Sequence, residues 1–307
     1  MKITMTYPIT QLNGTMTVQQ YLLMLGYSQS LIRHLRNTEN GIMVGGEPVY
    51  TTRILKQGDS LSVFIREDKS SENIVPTPMA IQIVYEDEHI LVVNKEAGIP
   101  IHPSQGNFDN TLANGMAYYF KEKGESFIYR AMNRLDRDTT GLLILAKNPL
   151  SACLLSHMLQ KREIHRRYLA VVCGKLPAMG TINAPIARVD GSTIERCVDQ
   201  IKGEYACTHY KRLYYDPVTG HSIAGLCLET GRTHQIRVHL KSIGHPLPGD
   251  FLYHPDYRYI RRQALHSFRL DFLHPIHMKP LTFEAPFPED MQFLGITSTE
   301  DLWDNDF

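Results

Sequence analysis

No stretch of this 307-residue chain stays apolar for the roughly 18–20 residues that a bilayer-spanning helix needs. Its opening, MKITMTYPITQLNG, lacks the apolar core of a secretory signal. Cysteine is sparse: five residues (Cys153, Cys173, Cys197, Cys207 and Cys227), none in a C-x-x-C pair. That scatter argues against a disulfide framework and against a cysteine zinc site, and it fits free thiols in a reducing compartment. The chain has no excess charge of either sign, with 32 basic and 32 acidic side chains, so the total does not announce a polyanion partner. There is no dinucleotide-binding or phosphate-loop glycine fingerprint, and no cofactor is expected. With 43% apolar and 21% charged residues the composition is ordinary for a globular protein, which excludes wholesale disorder. The expectation is a soluble, cytoplasmic protein of two domains.

The charge is unevenly spread. Residues 1–66 hold six Lys and Arg (2, 33, 36, 53, 56, 66) against three acids (39, 47, 59), making this the basic end. Val18, Tyr21, Leu22 and Leu25 recur at helical spacing before Gly26, and Ser28 is placed to cap a second helix bearing Arg33, His34 and Arg36. Two short strands with glycine turns follow, Gly41–Val44 and Leu61–Ile65. Residues 67–78 (EDKSSENIVPTP) lack periodicity and read as a flexible linker. From 79 to 290, strand-like runs such as Ile81–Tyr85, Ile90–Val93 and Leu142–Ala146 alternate with helical stretches. One helix is expected over Ser151–Arg162, capped by Ser151. The segment 291–307 reads as an acidic tail that stays solvated or packs peripherally.

Three constellations could carry chemistry. In Asn133-Arg134-Leu135-Asp136-Arg137-Asp138-Thr139-Thr140-Gly141, a polar loop ending in glycine feeds a strongly apolar strand. The guanidiniums flanking Asp136 favour the charged carboxylate. The second is Thr230-Gly231-Arg232-Thr233-His234-Gln235-Ile236-Arg237-Val238-His239-Leu240. His234 and His239 suggest a metal, but five residues separate them by about 140° on a helix, without a carboxylate or third histidine on their face. The third is Arg162-Glu163-Ile164-His165-Arg166-Arg167-Tyr168, a basic helix end running into a strand.

Together these blocks resemble RNA pseudouridine synthases of the RluA-like branch. The first is similar to the family's RLDxxTSG signature, with Asn133 where many members have His and Thr140 where Ser is usual. The second resembles GRTHQIRVHL. Supporting blocks fall in order: NKEAGIPIHPS (94–104), GHPLPGD (244–250) and Leu265-His266, with Ser267 in place of Ala. The resemblance covers about 81–287. It implies an α+β catalytic domain on a long, mainly antiparallel sheet with a central cleft. Asp136 would be the essential catalytic carboxylate, Arg237 its basic partner, and Tyr168 the residue that stacks on the target base and takes or relays the carbon-5 proton. Arg134, Arg166 (where Lys is common) and Arg232 would contact RNA. Residues 1–66 resemble, more loosely, the α-L RNA-binding domain named after ribosomal protein S four, with Gly45 where Asn is usual. Arg33 and Arg36 would face phosphates there.

The implied activity is isomerisation of uridines in RNA, with ribosomal RNA the expected partner and a monomer the expected state. Two other readings stand beside it: a catalytically silent RNA-binding or ribosome-assembly protein that keeps the fold, and a histidine-dependent metalloenzyme, which the ligand spacing disfavours.

Overall fold

The structure is a computed structural model and describes residues 2–12 and 14–298. The elements run in the order β1 (Lys2–Pro8), α1 (Val18–Met24), α2 (Gln29–Arg36), β2 (Ile42–Val44), β3 (Glu47–Pro48), β4 (Ser60–Arg66), β5 (Gln82–Glu86), β6 (Ile90–Lys95) and α3 (Leu112–Glu122). They continue with β7 (Thr140–Ala146), α4 (Pro149–Gln160), β8 (His165–Cys173), β9 (Met179–Asn183), β10 (Ile186–Arg188), β11 (Arg196–Val198) and β12 (Cys207–Asp216). Last come β13 (His221–Leu228), α5 (Gln235–Ser242), β14 (Leu265–Leu273), β15 (Pro280–Glu284) and a 3-10 turn, Glu289–Leu294.

The N-terminal unit is a small sheet, β1-β4-β2-β3, with α1 and α2 over it. Both expected helices form. Thr17 closes a capping box with Gln20, and the Ser28 hydroxyl accepts from the Leu31 amide. Strand β1 was not among the strands expected from sequence. Its alternation of Ile3, Met5 and Tyr7 is the period of a half-buried strand, and it pairs along its length with β4.

This unit does not hang on a flexible tether. Leu150 of α4 shares the core of Leu22, Leu31 and Leu35, and the Ser28 amide donates to Cys153 Sγ at 2.9 Å. The 67–78 segment is strapped down as well. Ser71 N donates to Phe127 O (3.2 Å), and Thr77 N donates to Asn114 O (3.2 Å). Phe127 N donates to Ser70 Oγ (3.2 Å) and Tyr129 N to Ser71 Oγ (3.0 Å). Missing periodicity marked the absence of a helix or strand, not the absence of hydrogen-bond partners.

The large sheet is mixed and mainly antiparallel, in the order β5-β6-β7-β14-β8-β13-β12-β9, with β15 on β14. Among the described residues its one parallel pairing joins β14 to the start of β7. Strand β7 is buried on both faces, as expected of a continuous apolar run. Alternate residues serve two cores. Leu143 and Leu145 face the side of α3 and Tyr168, while Leu142, Ile144 and Ala146 face α4. At the loop–strand junction Gly141 takes φ +107°, and a Cβ there would stand 2.2 Å from the Ser267 carbonyl oxygen, so only glycine fits.

Two boundaries differ from expectation. Helix α4 begins at Pro149 and is capped by Asn148, whose Oδ1 accepts from Ser151 N at 2.8 Å. Ser151 lies inside the first turn because a proline at the first helical position pre-sets the backbone. The acidic segment starts with an ordered turn: Met291 and Leu294 are buried against Leu169, Val171 and Phe268, and Asp290 is paired with Arg262. The remaining acids of that segment, at 300, 301, 304 and 306, lie outside the described residues. Among the described residues no helix is long and apolar enough to cross a membrane.

The two candidate caps are separable by mutation. Asn148→Ala is expected to destabilise by about 1–2 kcal/mol in urea unfolding. Ser151→Ala removes a buried hydroxyl that has no partner among the described residues, so its change should stay within about 0.5 kcal/mol.

Candidate active site

A cleft of about 520 Å³ opens beside the middle of the large sheet. Asp136, Tyr168 and Arg237 all line it, together with Arg134, Arg166 and Arg232. The sheet explains the convergence. Asp136 is in the loop that enters β7, Tyr168 lies on β8, and Arg237 is in the helix that follows β13. Strand β14 lies between β7 and β8, and β13 is next to β8.

The loop holding Asp136 is fixed from several directions. Asn133 Oδ1 accepts from Ile144 N at 3.0 Å, so the residue that departs from the usual histidine pins the loop to β7. Gln263 Nε2 donates to Thr139 Oγ1 at 3.2 Å. Lys95 Nζ donates to the carbonyls of Arg137 (2.8 Å) and Glu96 (2.7 Å). Lys95 is 2% exposed. Burial pulls its pKa down to about 7, with Asp138 and Asp136 opposing and Arg262 assisting.

The partner of Asp136 is not a sequence neighbour. Arg137 turns outward and pairs with Asp138, and Arg134 is exposed on the cleft wall. Instead Arg237 Nη1 donates to Asp136 Oδ2 at 2.8 Å. The guanidinium is itself clamped by Asp250, through Nε to Oδ2 and Nη2 to Oδ1, both 2.7 Å. The rings of Tyr253 and Phe251 stand 4.9 and 5.6 Å from it. Arg237 and Asp250 side chains are each 1% exposed, while that of Asp136 is 25% exposed to the cleft. Burial opposes the charge on Arg237, but Asp250 and Asp136 outweigh it and hold its pKa above the ordinary arginine value.

Helix α5 starts abruptly. His234, at its N-cap, sits in the left-handed region (φ 57°) and makes no side-chain cap. The turn is closed instead by Gln235, whose Oε1 accepts from Arg232 N (3.0 Å) and Thr230 Oγ1 (2.8 Å). His234 Nδ1 lies 2.9 Å from the Tyr253 hydroxyl and its Nε2 4.0 Å from Asp136 Oδ1. Burial lowers its pKa against the pull of Asp136, which favours the neutral ring. Both ring nitrogens of His239 are engaged, with Thr208 Oγ1 and the Ala184 carbonyl at 2.8 Å each. The His234–His239 pair is therefore not a metal-binding arrangement.

Tyr168 is 4% exposed. Burial raises its pKa, and the nearby Arg166 and a hydrogen bond with Ser267 only partly offset this. The buried Arg166 Nε has no partner among the described residues, and its guanidinium faces Gly231. Arg232 Nε donates to the Tyr205 carbonyl at 3.0 Å. Arg33 and Arg36 are exposed on α2, outside the cleft lining. Sequence reasoning assigned no role to Asp250, Lys95, His234 or Gln235. Asp250 closes GHPLPGD and Lys95 ends the apolar run of β6, so both blocks were visible but the partners were not.

Two measurements follow from this geometry. Asp250→Asn leaves the buried guanidinium short of its strongest counter-charge, and urea unfolding should show a loss of about 3–5 kcal/mol. Lys95 titrates lower in the folded than in the unfolded chain, so the unfolded chain binds the extra proton from pH 7 up to the ordinary lysine range. Stability should therefore rise through that window. Relative to Lys95→Met, the wild type should gain up to about 2 kcal/mol between pH 7 and pH 9.

Residues 89–242 match the family model described as RNA pseudouridylate synthase. The chain is 41% identical over 281 residues to an uncharacterized RNA pseudouridine synthase of Bacillus subtilis (strain 168), covering 91% of this chain and 98% of that one. It is 35% identical over 305 residues to the ribosomal large subunit pseudouridine synthase D of Neisseria meningitidis (strain DSM 15465 / Z2491), covering 95% and 81%. Among solved structures, human RNA pseudouridylate synthase domain containing 1 aligns with a TM-score of 0.57 at 27% identity, covering 68% of this chain and 86% of that one. On these grounds, and on a mixed sheet that gathers the three motif blocks around one cleft, the chain belongs to the RNA pseudouridine synthase family.

Proposed function

We propose that the chain isomerises specific uridines of ribosomal RNA to pseudouridine, with Asp136 as the catalytic carboxylate. The observation that carries this is the ion pair in the cleft: a partly exposed carboxylate backed by a buried guanidinium that Asp250 clamps from the other side. The reaction breaks the bond from the ribose to uracil N1, turns the base, and joins carbon 5 to the same sugar carbon. The proton lost from carbon 5 balances the one gained at N1, so no redox partner or external nucleophile is consumed. Asp136 acts in its charged form on the sugar or the base, and Arg237 keeps that form oriented.

Tyr168 packs its ring against the uracil. Its raised pKa favours the neutral hydroxyl, which suits passing the carbon-5 proton onward better than holding a phenolate. A stacked uridine cannot reach Asp136, so the target must be extruded, at a cost of a few kcal/mol. Arg134, Arg166 and Arg232 on the cleft walls would hold phosphates beside the extruded nucleotide. Residues 1–66 would act as an α-L-type RNA-binding unit through Arg33 and Arg36, residues 67–78 as a strap and residues 79–290 as the catalytic domain. The name of the Neisseria relative supports large-subunit ribosomal RNA as substrate, which implies action in the cytoplasm. The acting form is read as a monomer, with Asp136, Tyr168 and Arg237 all supplied by the same chain.

Asp136→Asn should reduce pseudouridine formation at least about a thousandfold while RNA binding in a gel-shift assay changes little. Pseudouridine mapping of total RNA, with and without the gene, identifies the substrate. Loss of sites in large-subunit ribosomal RNA is expected, and an unchanged ribosomal map would overturn the assignment.

A further inference from the structure

Beside the cleft, Cys207 and His209 lie two apart on β12, so strand alternation sends both side chains to one face. Thr208 pairs with Leu228 of β13, and the next residue, Glu229, is opposite Cys207, with its amide donating to the Cys207 carbonyl at 3.2 Å. Three donor atoms thus meet: His209 Nε2 to Glu229 Oε1 2.8 Å, Cys207 Sγ to the same oxygen 3.4 Å, and Sγ to Nε2 3.8 Å. We propose that Cys207, His209 and Glu229 bind a zinc ion beside the cleft, whose lining Glu229 joins.

The donor set is one sulfur, one imidazole and one carboxylate, the types zinc takes, at bond lengths of about 2.3, 2.0 and 2.1 Å. A tetrahedron with those bonds has donor separations of about 3.3–3.6 Å, within a few tenths of an ångström to half an ångström of what the three atoms already show. The surrounding contacts are those that orient ligands. Thr181 Oγ1 lies 2.9 Å from His209 Nδ1, which leaves Nε2 free to face the ion. Arg162 Nη1 donates to Glu229 Oε2 at 2.7 Å, on the oxygen the ion does not use. Cys207 is held at both ends, its amide by Thr230 Oγ1 and its carbonyl by Gln235 Nε2, each at 3.0 Å.

His209 and Glu229 side chains are 37% and 30% exposed, so the ion has a path in. Glu229 leads directly into Thr230–His234, the turn before α5. The ion would therefore clasp β12 to the segment that aims Arg237, a positioning role independent of which RNA enters the cleft. No C-x-x-C spacing announces such a site, because its ligands come from two strands.

The test uses the full chain, stripped with a chelator and titrated with cobalt(II) as a spectroscopic stand-in. One equivalent should produce a thiolate-to-cobalt charge-transfer band that zinc displaces stoichiometrically. The band should vanish in Cys207→Ser and persist in Cys197→Ser, with circular dichroism confirming that both fold. Should Cys207→Ser not fold, His209→Ala serves in its place, with cobalt affinity falling at least about tenfold. A folded wild type that gives no band, a band that survives loss of Cys207, or a cobalt affinity left unchanged by loss of His209 overturns the proposal.

Discussion

Arg237 carries a full positive charge where almost no water reaches it, and the arrangement of the cleft follows from how that charge is satisfied. Asp250 takes two of its donors in a paired, planar geometry, and a third reaches Asp136. Moving a guanidinium out of water is expensive unless its donors are met, so one arginine, two carboxylates and two aromatic rings form a unit in which no member can shift alone. That unit ties the end of one loop to a helix 101 residues further along the chain. The site's preorganisation is an electrostatic constraint as much as a steric one.

Around this unit, the protein spends other buried polar groups on keeping the Asp136 loop still. Lys95 and Gln263 reach it from two other segments, and Asn133, within the loop, anchors it to Ile144 of β7. Gly141 then lets β7 start in contact with β14, an approach that any side chain would block. Loop precision of this kind matters because a carboxylate displaced by about an ångström loses much of its effect on a reacting centre. The docked N-terminal unit and its strap extend the same logic outward, presenting a second basic surface in a fixed relation to the cleft.

Much of the molecule was legible before its coordinates. Strand β7, both N-terminal helices and the RLD, GRTHQIRVHL and His165–Tyr168 blocks were visible as patterns. Other features were not, for identifiable reasons. Strand β1 is edge-like and half polar, and it becomes a strand only through β4. The 67–78 segment has the composition of a linker, yet its serines and amides have partners as far as 58 residues away. Asn148 took the cap expected of Ser151, because both can cap a helix and only the position of Pro149 decides between them.

The linear order of residues determined which chemical groups this chain owns and, through period and punctuation, most of its helices and strands. It placed Asp136 between Arg134 and Arg137 and so suggested a local ion pair. Only the tertiary structure decided that neither neighbour serves, because side chains adjacent in a tight loop diverge, whereas strands brought side by side make groups a hundred residues apart converge. The same reason applies to Asp250 and to the Cys207, His209 and Glu229 cluster: their meaning lies in cross-strand and helix–loop contacts, which no spacing along the chain encodes.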